Sequence, residues 1–142
     1  MRNFVTRLII YEARGDKSSE AKTKAAFHSC EKLRLHMATF MGNTGSHWLL
    51  SRSLALATAE APCLKSVRVQ RDGSLKVLEE LQSQLDPEEL FEGVVIVLTQ
   101  LLRLLSAVIG EYLTFRQVRE VWPKVSLTDM DFDTGGKYEK TK

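Results

Sequence analysis

The sequence predicts an all-α fold, a compact bundle of four to five helices with a long hydrophobic C-terminal helix. Three observations carry this expectation. Apolar residues recur at steps of three and four over residues 19–41, the spacing of a helix with one buried face. A strong helix-start signal at residues 85–91 leads directly into the apolar run GVVIVLTQLLRLLSAVIG at 93–110. Proline occurs only at 62, 87 and 123, each at the edge of a periodic segment. The chain has 142 residues, 44% of them hydrophobic and 27% charged, which is enough to bury one core without disulfide or metal staples. Residues 1–125 are therefore expected to form one helical bundle domain and residues 126–142 a flexible charged tail.

The elements follow in order. Residues 3–13, NFVTRLIIYEA, place Phe4, Leu8 and Tyr11 at helical spacing, although the run 8–11 would also suit a strand; a helix is the expectation. After the break ARGDKSS, the stretch SEAKTKAAFHSCEKLRLHMATFM reads as a long amphipathic helix. Its stripe is Ala26, Phe27, Cys30, Leu33, Met37, Phe40 and Met41, with Lys24, His28 and Lys32 opposite. GNTG at 42–45 supplies a glycine stop and a capping choice for the next helix, HWLLSRSLALATAEA, which ends at Pro62. CLKSVRVQRDGSL at 63–75 contains a short alternating piece and a turn at RDGS, but a lone strand has no partner, so an ordered loop is expected. LKVLEELQSQL reads as a further short helix. In LDPEELF, Asp86 is placed to cap, Pro87 takes the first helical position, and Glu88 and Glu89 meet the positive end of the helix dipole. The helix opened there is expected to run unbroken to about Val121.

That apolar helix raises three readings: a membrane span, a core helix, or a surface covered by another chain. Its eleven Val, Ile and Leu residues each favour insertion by roughly 0.3–0.6 kcal/mol, against about 2.5–3.5 kcal/mol for a central Arg103. Glu92 and Glu111 bracket eighteen residues, about 27 Å of helix, slightly short of a bilayer core of about 30 Å. A soluble helix accounts for more, because Val94, Leu98, Leu101, Leu105, Val108, Leu113 or Tyr112, and Phe115 follow one seam and Val95, Leu102, Ile109 and Leu113 a second beside it. Leu98, Leu101, Leu105, Val108 and Phe115 are therefore the expected core or protein-interface residues, undivided between the two roles. A second copy of the chain or another protein is the expected partner, and no membrane.

Charge supplies the alternative. The net charge of +2 conceals twelve Lys or Arg against five Asp or Glu in residues 1–71, and eight against thirteen in residues 72–142. The basic half could contact nucleic acid through Lys24, Lys32, Arg34, Arg52, Lys65, Arg68 and Arg71, although Glu20 and Glu31 interrupt it and aromatic residues are not interleaved.

Motifs for chemistry are weak. GNTGSH opens a helix but lacks the lysine and spacing of a phosphate-binding loop. His28 and His36 are eight residues apart, and Cys30 lies in an apolar stripe that keeps a thiol protonated. Glu111, Tyr112, Arg116, Arg119 and Glu120 cluster near the end of the last helix, where Arg116 and Glu120 form an ordinary i, i+4 pair. No cofactor or metal is expected, and the chain is not read as an enzyme. Two cysteines and an N-terminus without a cleavage signal suit a cytoplasmic protein.

The series CEKLRLHMATFMG, LLSRSLALATAEAP, VRVQRDGSLKVLEEL and GEYLTFRQVREVWP resembles a loosely defined group of small, uncharacterised bacterial helical proteins, over about residues 28–123. The resemblance implies a bacterial cytosolic origin and brings no activity to any residue. The expected function is a non-catalytic helical module for oligomerisation or adaptor binding, with a nucleic-acid-binding accessory protein as the alternative.

Overall fold

The computed structural model describes residues 1–78 and 84–125. The described residues form four α-helices: α1 (Arg2–Glu12), α2 (Ser19–Glu60), α3 (Pro87–Ile109) and α4 (Glu111–Val121). Between α2 and α3 lie a 3-10 helix, Pro62–Ser66, and an antiparallel hairpin of β1 (Val67–Val69) and β2 (Leu75–Val77). The all-α class and a four-helix bundle are thus what the sequence folds into, with a two-stranded hairpin added.

Helix α2 is a helical hairpin. Its 42 residues would span about 63 Å if straight, yet both ends lie at the base of α3. Thr23 Oγ1 donates to Pro87 O at 2.9 Å and Ser19 Oγ to Glu88 Oε1 at 3.0 Å. Just past the other end, Cys63 Sγ donates to Glu89 O at 3.6 Å. The reversal is made at Gly42, where φ 81° and ψ 166° leave the helical region and only glycine is unstrained. The break expected over 42–45 is therefore one residue wide. Ser18 caps the start of the first arm, accepting from Ala21 N at 3.3 Å.

The first arm of α2 (19–41) and α3 leave the base together and are equally long, 23 residues in α3 and the same number in the arm. They therefore reach the far end together, about 34 Å away. There α3 stops at Gly110, with φ 91° and ψ 160°, nearly the geometry of Gly42, and α4 turns back. The unbroken helix expected to Val121 is thus two helices. Antiparallel packing of α4 on the first arm follows from His36 Nε2, 3.1 Å from Glu120 Oε1, and Lys32 Nζ, 5.7 Å from the Trp122 ring centroid. Helix α1 occupies the remaining length of the same lane: Arg2 pairs with Glu60 at 2.8 Å at the base, while Glu12 at its other end meets Lys32 and Trp122, each at 2.6 Å. Helices α1 and α4 thus share one lane end to end, with Trp122 at the joint.

The core is continuous through all lanes. Phe4, Leu8, Ile9, Leu33, Met37, Leu49, Leu50, Leu98, Leu101 and Leu105 are fully buried in it. The 3-10 helix seats Leu64 against α3 so closely that a Cβ on Gly93 would lie 2.8 Å from Leu64 Cδ2, which accounts for a glycine inside an otherwise bulky helix. The start of α3 is as the sequence predicts: Asp86 Oδ1 accepts from Glu88 N at 3.2 Å, and Pro87 opens the helix.

Two expectations fail between α2 and α3. Residues 63–75 are not a loop, because the alternating Val67–Val69 finds its partner in Leu75–Val77, in the register Val67 with Val77 and Val69 with Leu75. The helix expected over LKVLEELQSQL begins instead as that strand; its residues 79–83 lie outside the described residues, as does the tail 126–142. The turn is held by Asp72 Oδ1, which accepts from Ser74 N at 2.9 Å and Ser74 Oγ at 2.7 Å, with Gly73 at φ 93°.

Candidate functional site

Two surfaces carry the residues singled out above, an apolar end and a basic flank. At the apolar end the fold divides the predicted set. Leu98, Leu101 and Leu105 are fully buried within the single chain, so they are core. Phe115 is half-buried and packs on that core, and Val108 is 57% exposed. Val108 is not alone: Tyr112 is 71% exposed, and Leu113 and Phe40 are exposed as well. Val108, Tyr112 and Leu113 flank the Gly110 bend, while Phe40 precedes the Gly42 bend at the same end of the bundle. Sequence periodicity missed Tyr112, Leu113 and Phe40 as exposed residues because it assigned them to buried seams. The signal that finds them is the glycine pair, since each bend rotates the residues beside it out of the seam. Helix α4 carries Glu111 at this end, and Arg116, Arg119 and Glu120 further along toward its joint with α1.

The basic flank lies on the second arm of α2 (43–60) and the hairpin, and the fold removes part of the predicted set from it. Arg34 is buried: its Nη1 donates to Asp72 O at 2.7 Å, its Nε to Glu31 Oε1 at 3.0 Å, and its Nη2 pairs with Glu31 Oε2. It anchors the hairpin turn to α2 and is not available to a phosphate. Lys32 is committed to Glu12, and Lys24 lies apart, on an apolar groove at the base lined by Phe27, Leu75 and Leu90. Arg52, Lys65, Arg68 and Arg71 are exposed. Lys65 and Arg68 border a shallow groove that shares Ser51 with a second, of about 450 Å³, lined by Asn43, Thr44, His47, Trp48 and Arg71. Trp48, 59% exposed, adds an aromatic face that the sequence reading did not place among the basic residues.

The candidate chemistry does not assemble. Among the described residues no group of three His, Cys, Asp or Glu side chains is placed to hold a metal. His28 and His36 each face a different carboxylate, Glu12 at 3.8 Å and Glu120 at 3.1 Å, and His47 Nδ1 lies 3.4 Å from Ser51 Oγ. Burial pushes the Cys30 thiol up to about 12, with Glu31 adding to the shift; burial and Glu89 also raise that of Cys63. Neither is an activated nucleophile. Iodoacetamide in the native state is therefore expected to label half-buried Cys63 slowly and Cys30 only after unfolding, as peptide mass mapping checks; rapid modification of Cys30 would contradict its burial.

Helix α3 is long and apolar enough to cross a membrane, with a mean hydropathy of 1.8 over its most apolar window; half of that window is buried against the rest of the chain. No family model matches the chain, and neither does any curated protein or solved structure.

Proposed function

We propose that the chain is a non-catalytic helical module that associates with a second copy of itself through the apolar end. The observation that carries this reading is the convergence of Phe40, Val108, Tyr112 and Leu113 on one end of the bundle, all exposed although the interior is well filled. Exposed apolar clusters of this kind are characteristic of association surfaces, and an aromatic centre with a charged rim is their usual anatomy. A second copy is favoured because an apolar surface is complementary to its own copy, and Glu111 and Arg116 on α4 give it charges of opposite sign that two identical surfaces can pair. Another protein docking as an adaptor would use the same residues. The same reading takes the chain to be a soluble bacterial cytoplasmic protein, supported by the free thiols and by the packing of α3 in the core.

The test is the variant Val108→Ser, Tyr112→Ser, Leu113→Ser. It is expected to sediment as a monomer under conditions in which the native chain sediments as a dimer, with an unchanged helical circular dichroism spectrum, since none of the three side chains is buried. A native chain that is monomeric throughout, or a variant that remains dimeric, would refute self-association at this end.

A second reading, a nucleic-acid-binding accessory protein, has one observation in its favour: exposed Trp48 sits in the same groove as Arg71, beside Lys65 and Arg68. An aromatic face among cations can stack bases while the cations neutralise phosphates. Binding by this flank would weaken steeply with salt and with Trp48→Ala.

A further inference from the structure

We propose that the flank between the second arm of α2 and β1 takes a single strand of nucleic acid, with a base stacked on Trp48 and phosphates on Arg71, Arg68 and Lys65. The inference rests on the nucleic-acid reading of that flank and specifies its ligand. The two shallow grooves there form one trough. Ser51 lines both, and the α2 wall continues through Thr44, Trp48, Ser51, Ala55 and Thr58. These steps of four and three keep to one helix face, about 21 Å from first to last. The facing wall carries Lys65 and Arg68 in one groove and Arg71 in the other, all three exposed. Arg68 Nη1 donates to Lys65 O at 2.8 Å and to Val67 O at 3.3 Å, carbonyls that leave its charge unneutralised. Among the described residues no Asp or Glu lines either groove, and Asp72, next to Arg71, accepts from Ser74.

A single strand suits this trough better than a duplex. Bases inside a duplex are covered on both faces by their neighbours, so the 59% exposed ring of Trp48 stacks only on an unpaired base. A trough walled by a helix on one side and a strand on the other runs along one backbone, and its length takes about four nucleotides, the low end of single-strand sites. The hairpin adds a polar contact for a base edge. Bonds from Leu78 N to Ser66 O and from Gln70 N to Ser74 O, both 2.8 Å, turn the backbone of alternate residues toward β2. The N–H and C=O of Val69 therefore face away from β2, on the side of the groove that Val69 lines. None of these residues belongs to the apolar end, so strand binding and self-association are independent.

Tryptophan fluorescence on the full-length chain tests it, because Trp48 is the exposed one of two tryptophans and Trp122 is buried. Oligothymidylate and oligouridylate, each about ten nucleotides long, are titrated beside their duplexes with oligoadenylate. A single strand is expected to quench Trp48 and to bind at least tenfold more tightly than its duplex; the tighter of the two strands names the sugar, and either supports the proposal. Three phosphate contacts predict that affinity falls with salt at a log–log slope of about −2, and that Lys65→Ser, Arg71→Ser flattens the slope to about −0.7. Trp48→Ala, followed by fluorescence anisotropy of a labelled strand, is expected to bind about tenfold more weakly with an unchanged circular dichroism spectrum. A duplex bound as tightly as a single strand, or a single strand bound equally well by Trp48→Ala, would overturn this inference and leave the nucleic-acid reading of the flank standing. Binding of neither probe at low salt would overturn both.

Discussion

Leu101→Asp is expected to abolish cooperative folding. Leu101 is fully buried in α3, the helix that packs on α1, α2, α4 and the 3-10 helix. Truncating such a leucine costs about 2–5 kcal/mol through lost burial and the cavity left behind. A carboxylate in its place adds several kcal/mol more, because the charge is desolvated inside the apolar core. The sum approaches the whole stability of a domain this size, about 5–15 kcal/mol. Leu105→Asp, one turn along the same face, is expected to behave alike. Val108→Asp is the control, since Val108 lies at the exposed end of the same helix. Thermal melts followed by circular dichroism separate the cases: no cooperative transition for the first two, a near-native one for the third. A native-like melt of Leu101→Asp would mean that α3 is not the interior helix of the folded chain.

Trp122→Ala should be the most damaging single truncation outside α3. Trp122 is 1% exposed at the joint between α1 and α4, its Nε1 donates to Glu12 Oε2 at 2.6 Å, and Lys32 stands over its ring. Loss of the ring is expected to cost about 3–5 kcal/mol, read as a lower urea midpoint with the slope unchanged. Trp122→Phe divides that cost. It keeps most of the packing and leaves Glu12 with Lys32 and His28, for a loss of about 1–3 kcal/mol. If Phe proves as damaging as Ala, the hydrogen bond and not the ring closes the joint; if both are neutral, α1 and α4 are not coupled there.

What was legible in the sequence was local. Asp86 and Pro87 announce α3 because a cap and a proline act within one turn of themselves. The stripe from Ala26 to Met37 announces the first arm of α2 for the same reason. Gly42 was readable as a break because Asn43, Thr44 and a second glycine, Gly45, follow it. Gly110 was not, because Val108, Ile109 and Leu113 continue the apolar pattern across it and a glycine inside a helix costs only about 1 kcal/mol relative to alanine. The hairpin was lost because a strand is defined by its partner: Leu75–Val77 carries the same residues whether it starts the helix LKVLEEL or pairs with Val67–Val69. Arg34 shows the same limit at the candidate site. In sequence it is one of seven cations on a basic half; Glu31 is its i−3 neighbour on the same helix, but the Asp72 carbonyl, 38 residues away, is brought to it only by tertiary packing. Leu98, Leu101, Leu105, Val108 and Phe115 could not be divided between core and surface for a related reason: periodicity identifies apolar seams, but which end of a seam emerges from the core depends on where the helices bend.

Self-association of two copies through the apolar end is the proposal on which the function rests. Size exclusion coupled to light scattering on the native protein, at low and at high salt with absorbance followed at 260 and 280 nm, tests it most directly. Self-association predicts a dimer that persists at high salt and carries no nucleic acid, because an apolar contact is not screened. A monomer at both salts would contradict it, and a monomer that co-elutes with nucleic acid only at low salt would shift the function to the Trp48 flank.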